Sequence, residues 1–433
     1  MKPVARVGMQ TPFAIFLLAL LVRLLWIAVV HNDSLIGDAG WYHARAVSLI
    51  SGQGYSIQGT PTAYFPPGYA FFLALLYALA GPTVFVAKLS NALLGACTAW
   101  LVFVFAERTY GRPVAVVAAT LCAIHPNQVF YSSVLMSETL LAFLLMAVLC
   151  LVVAPPQHPV SSRAMLVGGL VLGAGCLVKP ASIAVAVGVA AYWLLWERTP
   201  VMQVGRRLAI LLAGCALVLA PWAVRNQTVM HHGVLISTNG GVNFWMAQLE
   251  GTYREPPPEI AAGWGRTNAT PELEVRAERR AYREGIDFLR REPLTPVRSL
   301  PKKLVRFFYA DIDGLLANAA LPNVRGPRDI LAVADHLPIA APTPIKTGLF
   351  LLAQFFYMGV LLAAAYGAFR AVRRGHGPAI ALQFVLVAWI LFHTLVFFPL
   401  GRYRLPVMPM IFVLAAGGIV SIRGPRPKQG PAA

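Results

Sequence analysis

Charged side chains stand at the ends of long apolar stretches in this sequence, where a charge is costly and usually functional. Two of them are the acids Asp38 and Glu138, and five are bases: Arg45, Lys179, Arg225, Arg402 and Arg404. A carboxylate can take a proton from a hydroxyl group, and arginine and lysine bind phosphate oxygens. The combination predicts one site that binds an anionic lipid head group and deprotonates a group beside it.

Each acid also has an ordinary structural interpretation. Asp38 precedes an amphipathic segment and is suited to cap the helix that follows, with Tyr42 and Arg45 on the same helix face. Glu138 opens an apolar run, where it would compensate a helix dipole. Lys179 is suited to snorkel toward the membrane surface. These interpretations and the functional ones, a general base or a metal ligand for the acids, stay open on spacing alone.

The composition requires a membrane environment for the elements that position these residues. Of the 433 residues, 58% are hydrophobic and 12% are charged, against roughly 45–50% and 25% in soluble domains. A soluble enzyme and a disordered chain are therefore excluded. The formal net charge of +18 would suggest a nucleic-acid partner in a soluble protein. Here the charge follows the membrane topology, so we expect no nucleic acid among the partners.

Ten apolar runs are long enough, or nearly long enough, to cross a bilayer as helices. They are 12–30, 84–106, 113–126, 134–154, 164–179, 181–196, 207–223, 347–369, 378–397 and 404–421. The runs 113–126, 164–179 and 181–196 are short, which allows a re-entrant or tilted path. A further run, 69–80, is expected to be partly inserted or interfacial. The first run ends without a small-residue cleavage site, so we interpret it as a retained helix.

The connections between these runs differ in charge. One set carries 14 basic and two acidic residues, which places that face and both chain termini in the cytoplasm by the positive-inside rule. The opposite face holds a loop at 31–68 and a long stretch at 224–346 with 16 basic and 13 acidic residues. Within the long stretch, 271–292 is predicted as a surface helix and 299–308 as a helix in the interface.

The chain is thus predicted to have three parts. Residues 1–223 form an N-terminal transmembrane module with the first outer loop, 224–346 an extracytoplasmic domain, and 347–433 the C-terminal helices and a basic cytoplasmic tail. The five cysteines lie in apolar runs without ligand-like spacing and are interpreted as core residues. Asp311 and Asp313 match a small metal clamp, although such pairs are common in loops.

Several motifs are informative as an ordered set. They are Asp38-x3-Tyr42-x3-Ala46, Gly52-x-Gly54-Tyr55 and Pro61-Thr-Ala-Tyr-Phe-Pro-Pro-Gly-Tyr69; Tyr131 to Glu138; Leu177-Val-Lys-Pro180; Pro221-Trp-Ala-Val-Arg-Asn226 with Ser237-Thr-Asn-Gly-Gly241; and Arg402-Tyr-Arg-Leu-Pro406. In this order they resemble the GT-C glycosyltransferases. The closest branch is glycosyltransferase family 39 with the aminoarabinose-transferase-like enzymes, related to protein O-mannosyltransferases. The resemblance covers the whole chain.

The resemblance implies an all-α polytopic membrane protein with the GT-C fold, outer-face juxtamembrane helices and a small extracytoplasmic domain. About 10 transmembrane helices, or 11–12, are expected. It also implies inverting transfer of a sugar from a polyprenyl-phosphate-linked donor to a lipid, glycan or protein acceptor on the non-cytoplasmic face. Asp38 would be the general base and Glu138 a second acid of the site. The implied substrate-binding residues are Tyr42, Arg45, Tyr64, Lys179, Arg225, Arg402, Tyr403 and Arg404.

Within this set, Arg402 and Arg404, with Lys179 as a third candidate, would face the lipid phosphate. No cofactor is required, because a phosphate monoester is a good leaving group. A divalent cation, if one binds, would use Asp38 and Glu138. The expected location is the bacterial inner membrane, with the site facing the periplasm.

The sequence departs from the resembled enzymes at two motifs. Ala39 follows Asp38, where protein O-mannosyltransferases carry Asp-Glu, and Tyr64-Phe65-Pro66 stands where aminoarabinose transferases carry an acid-Lys-Pro motif. Neither sugar nor acceptor can therefore be assigned from these relatives. Two alternatives stay open: a GT-C polymerase or ligase with a diphosphate-linked donor, and a lipid-linked sugar transporter. The repeated halves and midplane polar sites typical of transporters are not visible in the sequence.

Overall fold

The computed structural model describes residues 10–30, 35, 37–155, 160–249, 255–263, 269–309, 311, 339, 341–397 and 399–423. The α-helices are α1 Gln10–Val29, α2 Asp38–Ile50, α3 Gly68–Ala80, α4 Val84–Tyr110, α5 Arg112–Ile124, α6 Pro126–Phe130, α7 Glu138–Val152, α8 Ser162–Val178, α9 Ile183–Leu195, α10 Val201–Val229, α11 Gly240–Gln248, α12 Pro258–Ala262, α13 Pro271–Arg291, α14 Thr295–Phe308, α15 Thr343–Arg373, α16 Gly377–Leu391 and α17 Met408–Arg423. Short 3₁₀ turns occupy Tyr131–Ser133, Pro180–Ser182 and Gly401–Val407, and a π-helical turn occupies Phe392–Val396.

Every one of the ten predicted spans contains a helix. Six helices of the described chain are long and apolar enough to cross a membrane: α1, α4, α10, α15, Gly377–Val396 and Gly401–Ser421. A seventh candidate is α5 together with Pro126–Ser133, two pieces bent by 52°. The bend falls at a proline, which cannot donate the helical hydrogen bond at that position. The predicted all-helical, multi-pass membrane architecture is therefore confirmed.

The remaining predicted spans are shorter helices. α7 has 15 residues and α8 has 17, which gives lengths of about 22 and 25 Å at 1.5 Å per residue, less than the ~30 Å of a hydrocarbon core. The run predicted to be partly inserted forms α3, with 13 residues. The count of about ten full spans thus exceeds the six or seven that length and composition support.

Glycines allow the closest helix contacts. A Cβ built on Gly169 would lie 2.1 Å from the Leu211 carbonyl oxygen, so α8 and α10 pack backbone to backbone there. The same holds for α15 and α17, where a Cβ on Gly367 would lie 1.9 Å from the Leu414 carbonyl oxygen. Small residues at such crossings are the usual means of packing helices in a membrane.

The arginine that interrupts the first apolar run is fully buried. Arg23 donates from Nη1 to the Ala19 and Ala123 carbonyl oxygens at 2.9 Å each, and from Nη2 to that of Cys122 at 3.2 Å. The last two belong to the C-terminal end of α5, where helical carbonyls lack partners and a cation is favoured. Arg23 therefore caps a neighbouring helix inside the bundle.

The outer loop 31–68, where the structure describes it, consists of α2 and a two-stranded antiparallel hairpin. Its strands are Ser56–Ile57 and Thr60–Pro61, with Ser56 opposite Pro61. Glu274 of α13, the helix predicted to lie on the surface, bonds to Thr62 and Ala63 directly after the hairpin. One face of that helix is exposed, but Glu274 is 1% exposed, so the prediction of a surface helix is wrong for the face that carries Glu274.

The predicted interfacial helix is α14, and it packs into the bundle rather than lying free. Lys303 is buried and donates to the Thr394 carbonyl oxygen at 2.9 Å, and Phe307 is fully buried. Buried anchors of this kind hold a helix in one position. Of the predicted metal pair, Asp313 lies outside the described residues, while Asp311 is buried in a network described below.

Candidate active site

Seven of the ten predicted site residues line one cavity of about 280 Å³. They are Asp38, Tyr42, Tyr64, Glu138, Lys179, Arg402 and Tyr403. They come from the starts of α2 and α7, the end of α8, the segment after the hairpin and the 3₁₀ turn before α17. Side chains 365 residues apart in sequence are thereby brought into one wall.

Asp38 is the first residue of α2, and its carboxylate faces the cavity. The N-cap is Gly37, whose φ of 62° lies in the left-handed region that glycine favours, and no side chain caps the helix. Oδ2 of Asp38 accepts from Nη1 of Arg402 at 2.8 Å, with both side chains about one quarter exposed (26% and 27%). The capping interpretation is therefore wrong, and the carboxylate is held by a guanidinium at the cavity wall.

Glu138 forms the second acid–base pair. Its Oε1 accepts from Nζ of Lys179 at 3.0 Å, and its side chain is 2% exposed. Oε2 is buried and has no hydrogen-bond partner among the described residues. Glu138 also begins α7, so the predicted dipole compensation is compatible with this pairing. Lys179 does not simply snorkel, because its ammonium is paired with Glu138.

Lys179 is placed by the end of its helix. It is the C-cap of α8 and adopts an extended conformation with φ −153° and ψ 116°, as expected for a residue before proline. Its Nζ lies 4.3 Å from the ring centroid of Tyr403, and Cζ of Arg402 lies 5.3 Å from the same ring. The ring of Tyr403 thus contacts both cations, and its carbonyl oxygen accepts from Trp389 at 2.8 Å.

Tyr42 is buried between the two acids. Burial is the main reason that the pKa of its phenol lies well above the ordinary value, and the charges of Asp38 and Glu138 raise that pKa further. A hydrogen bond with Ser137 and the charge of Arg402 lower it by less. The hydroxyl consequently stays protonated and can donate a hydrogen bond.

Tyr64 is positioned indirectly by Glu274. The backbone N–H of Tyr64 donates to Oγ1 of Thr62 at 3.1 Å, and that hydroxyl donates to Oε1 of Glu274 in a short hydrogen bond. Oε2 of Glu274 accepts from the backbone N–H of Ala63 at 3.1 Å and from Thr238 at 3.2 Å. Burial raises the pKa of Glu274 to about 7, despite these donors. α13 therefore anchors the segment that forms one wall of the cavity.

Three predicted binding residues lie elsewhere. Arg45 stacks over Trp41, with Cζ 4.9 Å from the ring centroid. Arg225 donates to the backbone carbonyl oxygens of Thr62 and Tyr55 at 2.9 and 2.7 Å, which fixes the hairpin. Neither lines the cavity, so both hold the first outer loop in this structure.

Arg404 is buried beneath the site. Its Nη2 donates to Oδ1 of Asp311 at 2.8 Å, and its Cζ lies 4.5 Å from the Tyr357 ring centroid. Asp311 also accepts from Asn127 at 2.9 Å, and Nε2 of His125 lies 3.4 Å from its Oδ2. Asp311 thus joins the 3₁₀ turn to the start of α6, while Asp313, the other residue of the predicted metal pair, lies outside the described residues.

The sequence interpretation missed four cavity or support residues. Arg306, Asn239 and Asn243 line the cavity, and Glu274 supports it. A signal existed for Glu274: it lies at helical spacing with the small, buried residues Ala277, Ala281 and Gly285. No group of three or more metal-ligating side chains occurs in the part of the chain that the structure describes. Both cavity carboxylates bind a cationic side chain.

Comparisons with known proteins agree with this fold. Residues 65–224 match the family described as dolichyl-phosphate-mannose-protein mannosyltransferase. The oligosaccharyltransferase of Archaeoglobus fulgidus with zinc and sulfate superposes with a TM-score of 0.51 at 16% identity, over 95% of this chain and 49% of its own. Its apo form gives 0.52 at 15% identity, over 95% and 50%. ArnT from Cupriavidus metallidurans, bound to undecaprenyl phosphate, gives 0.44 at 17% identity, over 96% and 78%.

The chain spans about half the length of the oligosaccharyltransferase structures, and no curated protein matches it. The predicted resemblance to the GT-C glycosyltransferases is nevertheless confirmed by the family match and by the shared fold. The matched family is one of sugar transferases, and the match covers residues 65–224 of this chain.

Proposed function

We propose that the protein transfers a sugar from a polyprenyl-phosphate-linked donor to an acceptor, with inversion at the anomeric carbon and Asp38 as the general base. The observation that carries the proposal is the single cavity with two acid–base pairs, Asp38 with Arg402 and Glu138 with Lys179. Ionisable side chains in a membrane protein are costly, and a cluster of them at one cavity indicates a functional site.

The charges of the cavity suit a phosphate leaving group. Its wall has three cationic side chains, Lys179, Arg306 and Arg402, against the carboxylates of Asp38 and Glu138. A sugar phosphodiester carries one negative charge, and the departing phosphate monoester approaches two. Fixed cations therefore bind the leaving group more strongly as the sugar–oxygen bond breaks, and this difference lowers the barrier.

Asp38 has one oxygen committed and one available. Oδ2 accepts from Arg402, while Oδ1 makes no hydrogen bond to a described residue. An acceptor hydroxyl that donates to Oδ1 could lose its proton there as it attacks the anomeric carbon, a contribution of roughly 10²–10⁴-fold in rate. Glu138 would keep Lys179 directed at the cavity, and the protonated Tyr42 would donate to the sugar or its phosphate.

An apolar groove of about 510 Å³ beside the cavity supports a lipid-linked donor. It runs between α9 and α16 with the π-helical turn, and residues such as Val187, Val387 and Leu391 line it. In sequence, its member Val396 directly precedes the cavity residue Phe397, and Ile183 follows the cavity residue Pro180 by three positions. A chain of isoprene units leaving the phosphate would find continuous apolar surface there. An oligosaccharyltransferase of the same fold has been solved with a dolichol-phosphate.

We further propose that the site faces the periplasm across a bacterial inner membrane, on the basis of the basic residues at the opposite helix ends. The acceptor is a lipid, glycan or protein. A divalent cation is not required, because the two carboxylates that would bind it already hold cationic side chains. Chelation by EDTA is therefore expected to leave the rate unchanged, and a dependence on added Mg²⁺ or Mn²⁺ would contradict this.

The test uses purified protein in liposomes with radiolabelled polyprenyl-monophosphate sugars and an acceptor-containing membrane extract. Wild type is expected to release sugar from the lipid, and Asp38→Asn to fall by at least two orders of magnitude. The matched control is Asp287→Asn, the same change at a 55% exposed side chain of α13, which should retain the wild-type rate.

Three results would contradict the proposal. Wild-type turnover by Asp38→Asn would remove the base assignment. Release only from a diphosphate-linked donor would favour a polymerase or ligase. Movement of the intact donor across the bilayer without release would favour a transporter.

A further inference from the structure

A second charged cavity lies at the opposite end of the bundle from the candidate active site. It has a volume of about 360 Å³ and forms where α4, α15 and α17 end. The 16 residues of α17 separate it from the 3₁₀ turn that carries Arg402, a distance of about 24 Å. Its polar lining residues are Thr109, Tyr110, Arg370, Arg374, His376 and Ser421.

Three polar atoms in this wall are buried without a hydrogen-bond partner among the described residues: Nε of Arg370, the hydroxyl of Tyr110 and Nδ1 of His376. Buried polar groups are normally paired, because a buried donor or acceptor without a partner is energetically costly. The rings of His376 and Tyr110 are stacked, with their centroids 3.9 Å apart and an angle of 11° between their planes. Nε2 of His376 lies 3.0 Å from the Thr109 carbonyl oxygen, which fixes the stack.

Among the described residues, those that line the cavity include cations and no acidic side chain. Arg370 and Arg374 line it, and no aspartate or glutamate does. Neither arginine forms an ion pair with a residue in the described ranges. A nearby inner-end cavity differs, since there Arg207 lies 3.5 Å from Glu197. Two guanidiniums beside an unpaired hydroxyl match the oxygens of a phosphate group.

The surroundings of the cavity are apolar, which indicates the source of that phosphate. On α15, which carries Arg370 and is followed by Arg374, Phe369 is 60% exposed, Val372 46% and Tyr366 38%. In a bundle that spans a membrane, such side chains face the lipid. A ligand at this place would therefore have its phosphate on the arginines and its apolar part against α15.

We propose that this cavity binds the phosphate group of an anionic phospholipid from the leaflet opposite the active site. The ligand is a phosphate ester, and a soluble phosphate is the other source with the same chemistry. Bound lipid would bridge the ends of α4, α15 and α17. The proposal does not depend on the transferase activity, because binding is measured without donor or acceptor.

The test compares Arg370→Gln with Arg373→Gln. Arg373 lies three residues further along the same helix, is exposed and does not line the cavity, so the control loses the same charge at the same membrane face. Full-length protein is reconstituted in nanodiscs of phosphatidylcholine, with or without a minority of phosphatidylglycerol. Thermal stability and the phosphatidylglycerol retained in native mass spectrometry are measured.

Phosphatidylglycerol is expected to stabilise wild type and Arg373→Gln, and to be retained by both. Arg370→Gln should bind it roughly tenfold more weakly, the loss expected for one charge-assisted hydrogen bond. Arg374→Gln, at an exposed residue of the rim, should weaken binding as well and serves if Arg370→Gln does not fold.

An equal response of all variants would overturn the proposal, because the lipid would then act only through general surface charge. No response of wild type would overturn it too. Inorganic phosphate and glycerol phosphate form the other arm: stabilisation by either at millimolar concentration, with displacement of the lipid, would reject the phospholipid as ligand.

Discussion

The pair formed by Glu138 and Lys179 allows a quantitative test of the site. Lys179→Met keeps most of the side-chain length but leaves the carboxylate of Glu138 without its cation. That carboxylate is 2% exposed, its ammonium partner is 12% exposed, and its Oε2 already lacks a partner among the described residues. Removing one member of a buried pair is expected to lower the free energy of unfolding by about 3–5 kcal/mol.

The double variant Lys179→Met/Glu138→Gln removes both charges and should regain most of this loss, because no unpaired carboxylate stays buried. Arg207→Met is the matched control. It breaks the pair between Arg207 and Glu197, which lie 3.5 Å apart and have side chains 34% and 27% exposed. The free energy of unfolding should therefore fall by less than about 1 kcal/mol.

Thermal unfolding in one fixed detergent gives the order of stabilities, and sugar release gives the function. We expect the double variant to be stable and inactive, since Lys179 would no longer meet the donor phosphate. If Lys179→Met is no more destabilised than Arg207→Met, the reasoning from burial is refuted. If the double variant turns over at the wild-type rate, the pair has only a structural role.

Three further predictions concern the support of the cavity and the groove. Folded protein holds the proton of Glu274 up to about pH 7, whereas the unfolded chain loses it near pH 4.5. The free energy of unfolding should therefore fall by roughly 3 kcal/mol as the pH rises through that window. Thermal melts over this pH range should show a smaller fall for Glu274→Gln. Arg404→Lys should destabilise the protein by about 3 kcal/mol, because it disrupts the buried pair with Asp311. The KM of the folded variant for the donor should stay unchanged, and a raised KM would show that Arg404 binds the donor. Val387→Trp, in the groove, should raise the KM for a long-chain donor but not for a short-chain analogue, whereas Leu362→Trp, at a 69% exposed position, should change neither.

The transmembrane part of the fold could be predicted because its signal is local. Each apolar run gives a helix, since a backbone in lipid must satisfy its own hydrogen bonds. Full spans were harder to count. Apolar residues dominate α7 and α8, but α7 begins only at Glu138, and α8 ends at Val178, before Lys179-Pro180. The length of an apolar run therefore does not give the length of the helix.

The outer part was less predictable because its contacts join distant residues. The burial of Glu274 depends on Thr62, which lies 212 residues earlier. No local pattern gives such a partner, although the small residues along one face of α13 show that this face is packed. That Asp38 and Glu138 line one cavity could be expected, because a charge at the edge of an apolar run is unusual wherever it folds.

The different environments of Arg402 and Arg404 follow from the backbone between them. Two residues apart in an extended chain, both side chains would point to the same face, as a shared phosphate site requires. The segment is instead a 3₁₀ turn, in which successive side chains are separated by about 120°. Arg402 then faces Asp38 in the cavity, and Arg404 points into the bundle toward Asp311. Arg402 therefore lines the cavity, where the proposed mechanism places the leaving group, and Arg404 holds the turn that carries Arg402.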